Sequence, residues 1–271
     1  MRTTKAERAT QLVSYGYVLA VSVFLLVPLL VSVIRSVTIT LPGGMTTLSI
    51  KPYLEIGQYA FWPKVYLSLS ISVTTILIDT AIGVPAAYAL VRYNFVGKRA
   101  LFTLLNGVWY VPGICYALSL ILAYYFLYKW FLGYWGFIAA YTAGFLLLML
   151  MTCIVAFKYV DPCYEESASC LGAGRLTTFF KVTLPLIGPG VSAGIILIFV
   201  LAFNEFITAF LLNLPTKLMT APVKVFADIT RARATPYIAA EAAVLQLISL
   251  AVVIIYLRVV GTKYLRGVVL V

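Results

Sequence analysis

Asp79, Asn204, Glu205 and Thr208 stand inside long apolar runs of a chain in which only 11% of residues are charged. A carboxylate or amide at such depth is costly unless it meets protein, water or a solute, so these side chains are candidates for a polar path through a nonpolar barrier. Adjacent helical residues point about 100° apart, so Asn204 shares its face with Thr208 while Glu205 lies beside Leu201, Ala202 and Ala209. The two alanines leave room next to the carboxylate. For Asn204 an interhelical hydrogen bond competes with solute contact. Asp79 either serves the path or pairs structurally within the protein. Glu241, in the first turn of the last apolar run, reads as a helix N-terminal cap. The stretch WYVPGICY sets Pro112 beside Gly113, a kink that opens backbone toward a cavity. Trp109, Tyr110 and Tyr116 then offer ring faces to a solute, with ordinary packing as the competing use.

Catalysis is not indicated. The chain has no histidine, the commonest general base and metal ligand. Cys115, Cys153, Cys163 and Cys170 lack paired metal-ligand spacing and read as small apolar fillers. No Gly-rich phosphate loop ending in Gly-Lys-Ser/Thr is present. We expect a non-enzymatic chain with no metal or cofactor of its own.

The elements that carry these residues are membrane spans. The sequence is 63% hydrophobic, with a mean hydropathy of +1.02, which suits lipid rather than a soluble core. Its net charge of +11 is scattered at the ends of apolar runs, so lipid phosphates rather than nucleic acid are the expected counterpart. A hydrocarbon core of about 30 Å takes roughly 20 helical residues. Stretches near 12–34, 65–91, 100–127, 136–157, 191–212 and 237–260 meet that length, giving an all-α polytopic membrane protein with six transmembrane helices and a single domain over 1–271. The first is too long for a signal core and reads as a retained anchor. With both termini inside, Arg2, Lys5, Arg8, Arg92, Lys98, Arg99, Lys158, Arg175, Lys181, Arg258, Lys263 and Arg266 lie on the cytoplasmic side, 12 of the 20 basic residues. Tyr128, Trp130, Phe131, Tyr134 and Trp135 mark the outer boundary between the third and fourth spans. The basic, partly apolar loop at 213–236 is either solvated or a contact for a substrate-delivering protein.

The longest inner loop, 158–188, has its own helix signals. Asp161 caps, Pro162 suits a first helical position, and Glu165 and Glu166 favour the positive end of the dipole. Ser167, Ala168, Ser169 and Cys170 are small enough for close approach by a partner, and Gly172 and Gly174 permit a sharp turn. A second short helix over 176–182 presents Phe179, Phe180 and Val182 on one side and ends at Pro185 and Pro189.

Glu166-Ser167-Ala168, Gly172 six residues after the Glu, and Val182-Thr183-Leu184-Pro185 resemble the cytoplasmic signature of permease subunits of type I ABC importers: Glu-Ala-Ala, three residues, Gly, nine residues, Ile, one residue, Leu-Pro. Ser167 stands for the first Ala and Val182 for Ile. The likeness begins near AAYALVRYNFVGKRAL and is weaker toward the C-terminus. It implies a cytoplasmic coupling-helix loop in which Glu165, Glu166, Ser167, Ala168, Gly172, Ala173, Leu184 and Pro185 engage an ATPase. It further implies a second permease, two ATPase subunits that bind ATP and Mg, an extracytoplasmic solute-binding protein, and a place in the plasma membrane. FNEFITAFLL resembles an Asn-Glu-Phe element of sugar permeases that borders a central cavity. The stretch IAAEAAVL and the terminal Arg-Gly-Val point the same way, so a sugar is the expected solute. Leu171 replaces the Asp common in that branch, and CLGAGRLTTFFKVTLPL looks closer to polyamine and anion permeases, the alternative. An ion-coupled transporter using Asp79 and Glu205 is a further alternative, but no inverted repeat supports it. A membrane enzyme is weaker still, because no nucleophile, base and metal ligands cluster.

Overall fold

The computed structural model describes residues 5–40, 45–127, 133–232 and 235–258. Tyr128, Trp130, Phe131, Arg2, Lys263, Arg266, the terminal Arg-Gly-Val and residues 233–234 of the basic loop lie outside the described residues. Apolar stretches become helices here because a helix satisfies its backbone hydrogen bonds within itself, the condition hydrocarbon imposes. In chain order they are α1 (Lys5–Ser36), α2 (Lys51–Glu55), α3 (Phe61–Arg92), α4 (Lys98–Gly107), α5 (Gly113–Leu127), α6 (Tyr134–Tyr159), α7 (Cys163–Cys170), α8 (Arg175–Thr178), α9 (Leu184–Leu186), α10 (Gly188–Phe203), α11 (Ile207–Thr216), α12 (Ala221–Ala232) and α13 (Pro236–Tyr256). A two-stranded antiparallel hairpin, β1 (Thr38–Thr40) with β2 (Thr46–Leu48), follows α1. Among the described residues, four helices are long and apolar enough to cross a membrane, and two bent pairs bring the count to as many as six.

The chain forms two compact units. One comprises Met1–Trp62 with Val225–Gln246. Its α1 exposes apolar side chains over much of its length, from Val13 to Ile34. Ser32 of α1 donates to Gln246 Oε1 of α13 at 3.1 Å, and Ser36 bonds the Tyr53 hydroxyl at 2.6 Å. Glu241 is buried in the second turn of α13. Helix α13 begins at Pro236, so Glu241 is its sixth residue, past the first-turn capping position read from sequence.

The other unit comprises Pro63–Lys224 with Leu247–Val271. Its central contact is α6 on α10, and small residues make that contact close. A Cβ on Gly190 would collide with Ala156 and come within 2.9 Å of the Thr152 carbonyl oxygen, and one on Gly194 would lie 2.6 Å from Thr152 Oγ1. Gly190 and Gly194, four apart, thus face Thr152 and Ala156, also four apart, in the small-xxx-small arrangement that brings helices together in lipid.

Two expected spans are not continuous helices. At residues 98–127 the segments Lys98–Tyr110 and Gly113–Phe126 meet at 106°. Val111 is extended ahead of Pro112, whose ring excludes helical geometry there. The expected span at 191–212 is split into α10 and α11 by a break at residues 204–206. In the 158–188 segment, Asp161 Oδ1 accepts from the Cys163 amide at 2.9 Å, the expected cap for α7. Gly172 takes φ +85°, whereas Gly174 is extended and uses no glycine freedom. The second helix does not stop at Pro185. A π-helical turn, Phe179–Thr183, precedes it and widens the ladder where the proline ring would strike a carbonyl, so the helix runs to Leu186. Pro189 lies in the first turn of α10, where a missing amide costs nothing.

Gly190→Leu is expected to lower stability by at least about 1–3 kcal/mol through overpacking. Gly16→Ala, where an added Cβ meets nothing within 4 Å, is expected to be neutral or mildly stabilising. Thermal unfolding of the two variants in detergent compares them directly.

Candidate functional site

Both breaks open on one cavity. The bend before α5 contributes Trp109, Val111 and Gly113, α5 contributes Tyr116, α6 contributes Tyr141, Gly144 and Phe145, and the α10–α11 break contributes Glu205, Ile207 and Thr208. The volume is about 210 Å³, and none of the lining side chains is basic. Helix α11 packs along α5. The Tyr116 hydroxyl donates to the Ala140 carbonyl at 2.7 Å, and that of Tyr124 to the Gly136 carbonyl at 3.1 Å, fastening α5 to α6.

Two polar side chains manage the α10–α11 break. Asn204 turns back on α10, donating from Nδ2 to the Val200 carbonyl at 2.8 Å and to Ser249 Oγ of α13 at 3.1 Å. Glu205 Oε1 accepts from the Thr208 amide at 2.9 Å, so its carboxylate closes the first turn of α11 at the positive end of that helix. The helical face that Asn204 and Thr208 were expected to share does not exist, because the chain leaves the helix between them. Of the residues singled out from sequence, the structure brings Trp109, Tyr116, Glu205 and Thr208 together. Asn204 lies outside this cavity. Tyr110 borders a second opening, of about 280 Å³, with Asn106, Leu147 and Met151.

Asp79 is wholly buried on α3. The Thr142 hydroxyl of α6 faces it. Neither closes a hydrogen bond, and the hydroxyls of Thr75 and Thr80 are likewise unbonded among the described residues. Sequence reading missed Tyr141, Gly144 and Phe145, whose signal was a polar ring and a glycine, YTAGF, within a long apolar helix.

In the 158–188 segment, Glu165, Glu166, Ser169, Cys170, Arg175 and Phe180 line a groove of about 750 Å³ together with Tyr88 and Tyr93 of the α3 end. Arg92 donates from Nε and Nη2 to Glu165 Oε1 at 3.1 and 3.0 Å. The small residues Ser167, exposed, and Ala168, half-buried, lie on α7, and Gly172 and Ala173 form the turn behind it. Leu184 and Pro185 sit on α9, beyond the π-helical turn. No group of three or more metal-ligating side chains occurs among the described residues.

Residues 79–265 match the family described as binding-protein-dependent transport system inner membrane component. The chain is 31% identical over 212 residues to the molybdenum transport system permease protein ModB of Escherichia coli strain K12, covering 73% of this chain and 91% of that protein. It is 28% identical over 244 residues to the spermidine/putrescine transport system permease protein PotC of the same strain, covering 88% and 90%. In fold it resembles a chain of a bacterial ABC transporter involved in the import of the acidic polysaccharide alginate, with a TM-score of 0.68 at 17% identity over 97% of this chain and 99% of that one.

Asp79→Leu replaces a buried, unbonded carboxyl by an apolar group of similar size. It is expected to stabilise the protein by about 1–3 kcal/mol, read as a raised unfolding midpoint in detergent. A lowered midpoint would mean that the folded protein holds a partner for the carboxyl.

Proposed function

We propose that this chain, which belongs to the family of inner-membrane components of binding-protein-dependent transport systems and is a multi-pass permease subunit of a type I ABC importer, carries a polyamine. The observation that supports this substrate is the cavity at the two helix breaks. There the Glu205 carboxylate stands among Trp109, Tyr116, Tyr141 and Phe145 with no basic neighbour in the lining. Carboxylate plus aromatic faces suit an alkylammonium by charge and by cation–π attraction, and would repel an oxyanion. A sugar is the second reading, favoured by the same rings, which also stack on a pyranose face, and by the resemblance of Asn204-Glu205-Phe206 to the sugar-permease element. In this reading Asn204, Tyr110 and Asp79 stand beside the solute path instead of at its centre.

The chain works with a membrane, an ATPase and a solute-binding protein, and is not itself an enzyme. The finer assembly is our reading: the whole chain acts as one permease domain, pairs with a second permease of similar type, and docks α7 on one of two ATPase subunits that hold ATP and Mg. Both termini then face the cytoplasm. The 158–188 segment supports the docking role by its capped helix, small exposed face and left-handed turn at Gly172.

The test is purification in gentle detergent with every copurifying chain identified, followed by ATP hydrolysis with the binding protein present and a panel of polyamines, sugars and oxyanions. Stimulation by a polyamine is expected, with Glu205→Gln reducing its apparent affinity by about 10-fold or more, as loss of a charge-assisted contact does. Stimulation by sugars alone would select the second reading, and by oxyanions alone would reject both. Glu166→Ala and Gly172→Asp are expected to weaken ATPase copurification without blocking membrane insertion. Normal association and transport in both would discard the docking role.

A further inference from the structure

An ion pair between distant parts of the chain lies at the α3 end, where α6 turns into α7. Arg92 grips both sides of that elbow: Nη2 donates to the Val160 carbonyl at 3.0 Å, just past the end of α6, while Nε and Nη2 reach Glu165 Oε1 of α7. The second carboxylate oxygen of Glu165 accepts from the Tyr88 hydroxyl at 3.1 Å. Both Glu165 oxygens are thereby occupied by α3. The side chains of Arg92 and Glu165 are only 13% and 15% exposed, unlike Lys51 of the i,i+4 pair with Glu55, which is 62% exposed. A shielded, multiply bonded pair of this kind is costly to break from one side.

The Tyr88 ring extends the grip. It meets Phe157 of α6 at a tilt, with centroids 5.5 Å apart, and Phe179 of the π-helical turn edge-on at 5.3 Å. One residue of α3 therefore touches the end of α6, the start of α7 through Glu165, and the turn that follows α8. From Phe157 the rigid helix α6 runs about 24 Å, at 1.5 Å per residue, to Tyr141 in the cavity wall.

We infer that Arg92 and Tyr88 are positioning residues that pin the α6–α7 elbow to α3, so that force on α7 moves α3 and α6 as one body and reaches the cavity instead of flexing the elbow. This rests on the reading of α7 as the ATPase contact. It also divides the acidic pair: Glu165 faces inward as the pin, and Glu166 is the carboxylate left to the partner.

The test uses the complete complex of permeases, ATPase and binding protein in lipid vesicles, measuring transport and ATP hydrolysis on the same preparation. Arg92→Gln, and separately Tyr88→Phe, which keeps the ring and removes only the hydroxyl, are expected to retain the ATPase and hydrolyse ATP within about twofold of the parent. Solute moved per ATP is expected to fall about tenfold for Arg92→Gln and less for Tyr88→Phe, in line with a charged against a neutral donor. The double reversal Arg92→Glu with Glu165→Arg is expected to recover a large part of the transport lost by Arg92→Glu alone. Unchanged solute per ATP in both single variants would overturn the inference. So would loss of the ATPase from both, because the pin would then merely hold the docking surface together. The docking reading fails by a different result, normal association in Glu166→Ala and Gly172→Asp.

Discussion

Hydrocarbon offers an unpaired amide nothing to bond, and this constraint governs where the chain is allowed to stop being a helix. A break in a span must bring its own donors and acceptors. At residues 204–206 it does: Asn204 returns its side-chain amide to the Val200 carbonyl, and Glu205 takes the Thr208 amide. At the other break, Pro112 has no amide to satisfy, and its carbonyl accepts from Tyr116 at 3.0 Å as α5 begins. Irregular backbone is tolerated within membranes where protein encloses it or where it borders a cavity, and the two breaks meet at one.

Close packing sets the second condition, since helices in lipid gain no hydrophobic drive toward each other. Gly190 and Gly194 bring α10 onto α6, and Gly83 admits Met149 of α6 against α3, where an added Cβ would lie 2.7 Å from its Cγ. Helix α6 is thus held from two sides by glycines, which is why it can serve as a stiff member between the elbow at Val160 and the cavity wall at Tyr141.

Much of this was legible in the sequence because it is local. Span lengths follow from apolar runs, the bend from Pro112, the α7 cap from Asp161, and the family from the spacing of Glu166, Gly172 and Pro185. Three features were not legible, each for a physical reason. FNEFITAF contains no proline or glycine, so its break depends on side chains outcompeting the helix ladder, with Ser249 supplying a partner 45 residues away. The reach of the helix past Pro185 depends on a π-helical turn that no residue type announces. The Arg92–Glu165 pair joins positions 73 residues apart, and in sequence Arg92 reads only as a topology marker at a span end. Family membership removes the ion-coupled alternative, which a carboxylate inside a span had kept open.

The choice between a polyamine and a sugar turns on what the Glu205 carboxylate already does. Its Oε1 is committed to the Thr208 amide, and the helix dipole of α11 adds partial positive charge on the same side, so part of its field is spent within the protein. A neutral sugar would draw on the carboxylate as a hydrogen-bond acceptor only, and would leave the remainder of its charge unpaired. An alkylammonium both accepts that field and covers the charge, while its methylenes lie against Trp109 and Phe145. Electrostatic completion of the break therefore favours the cation, in the proposed reading, over a solute that offers hydroxyls alone.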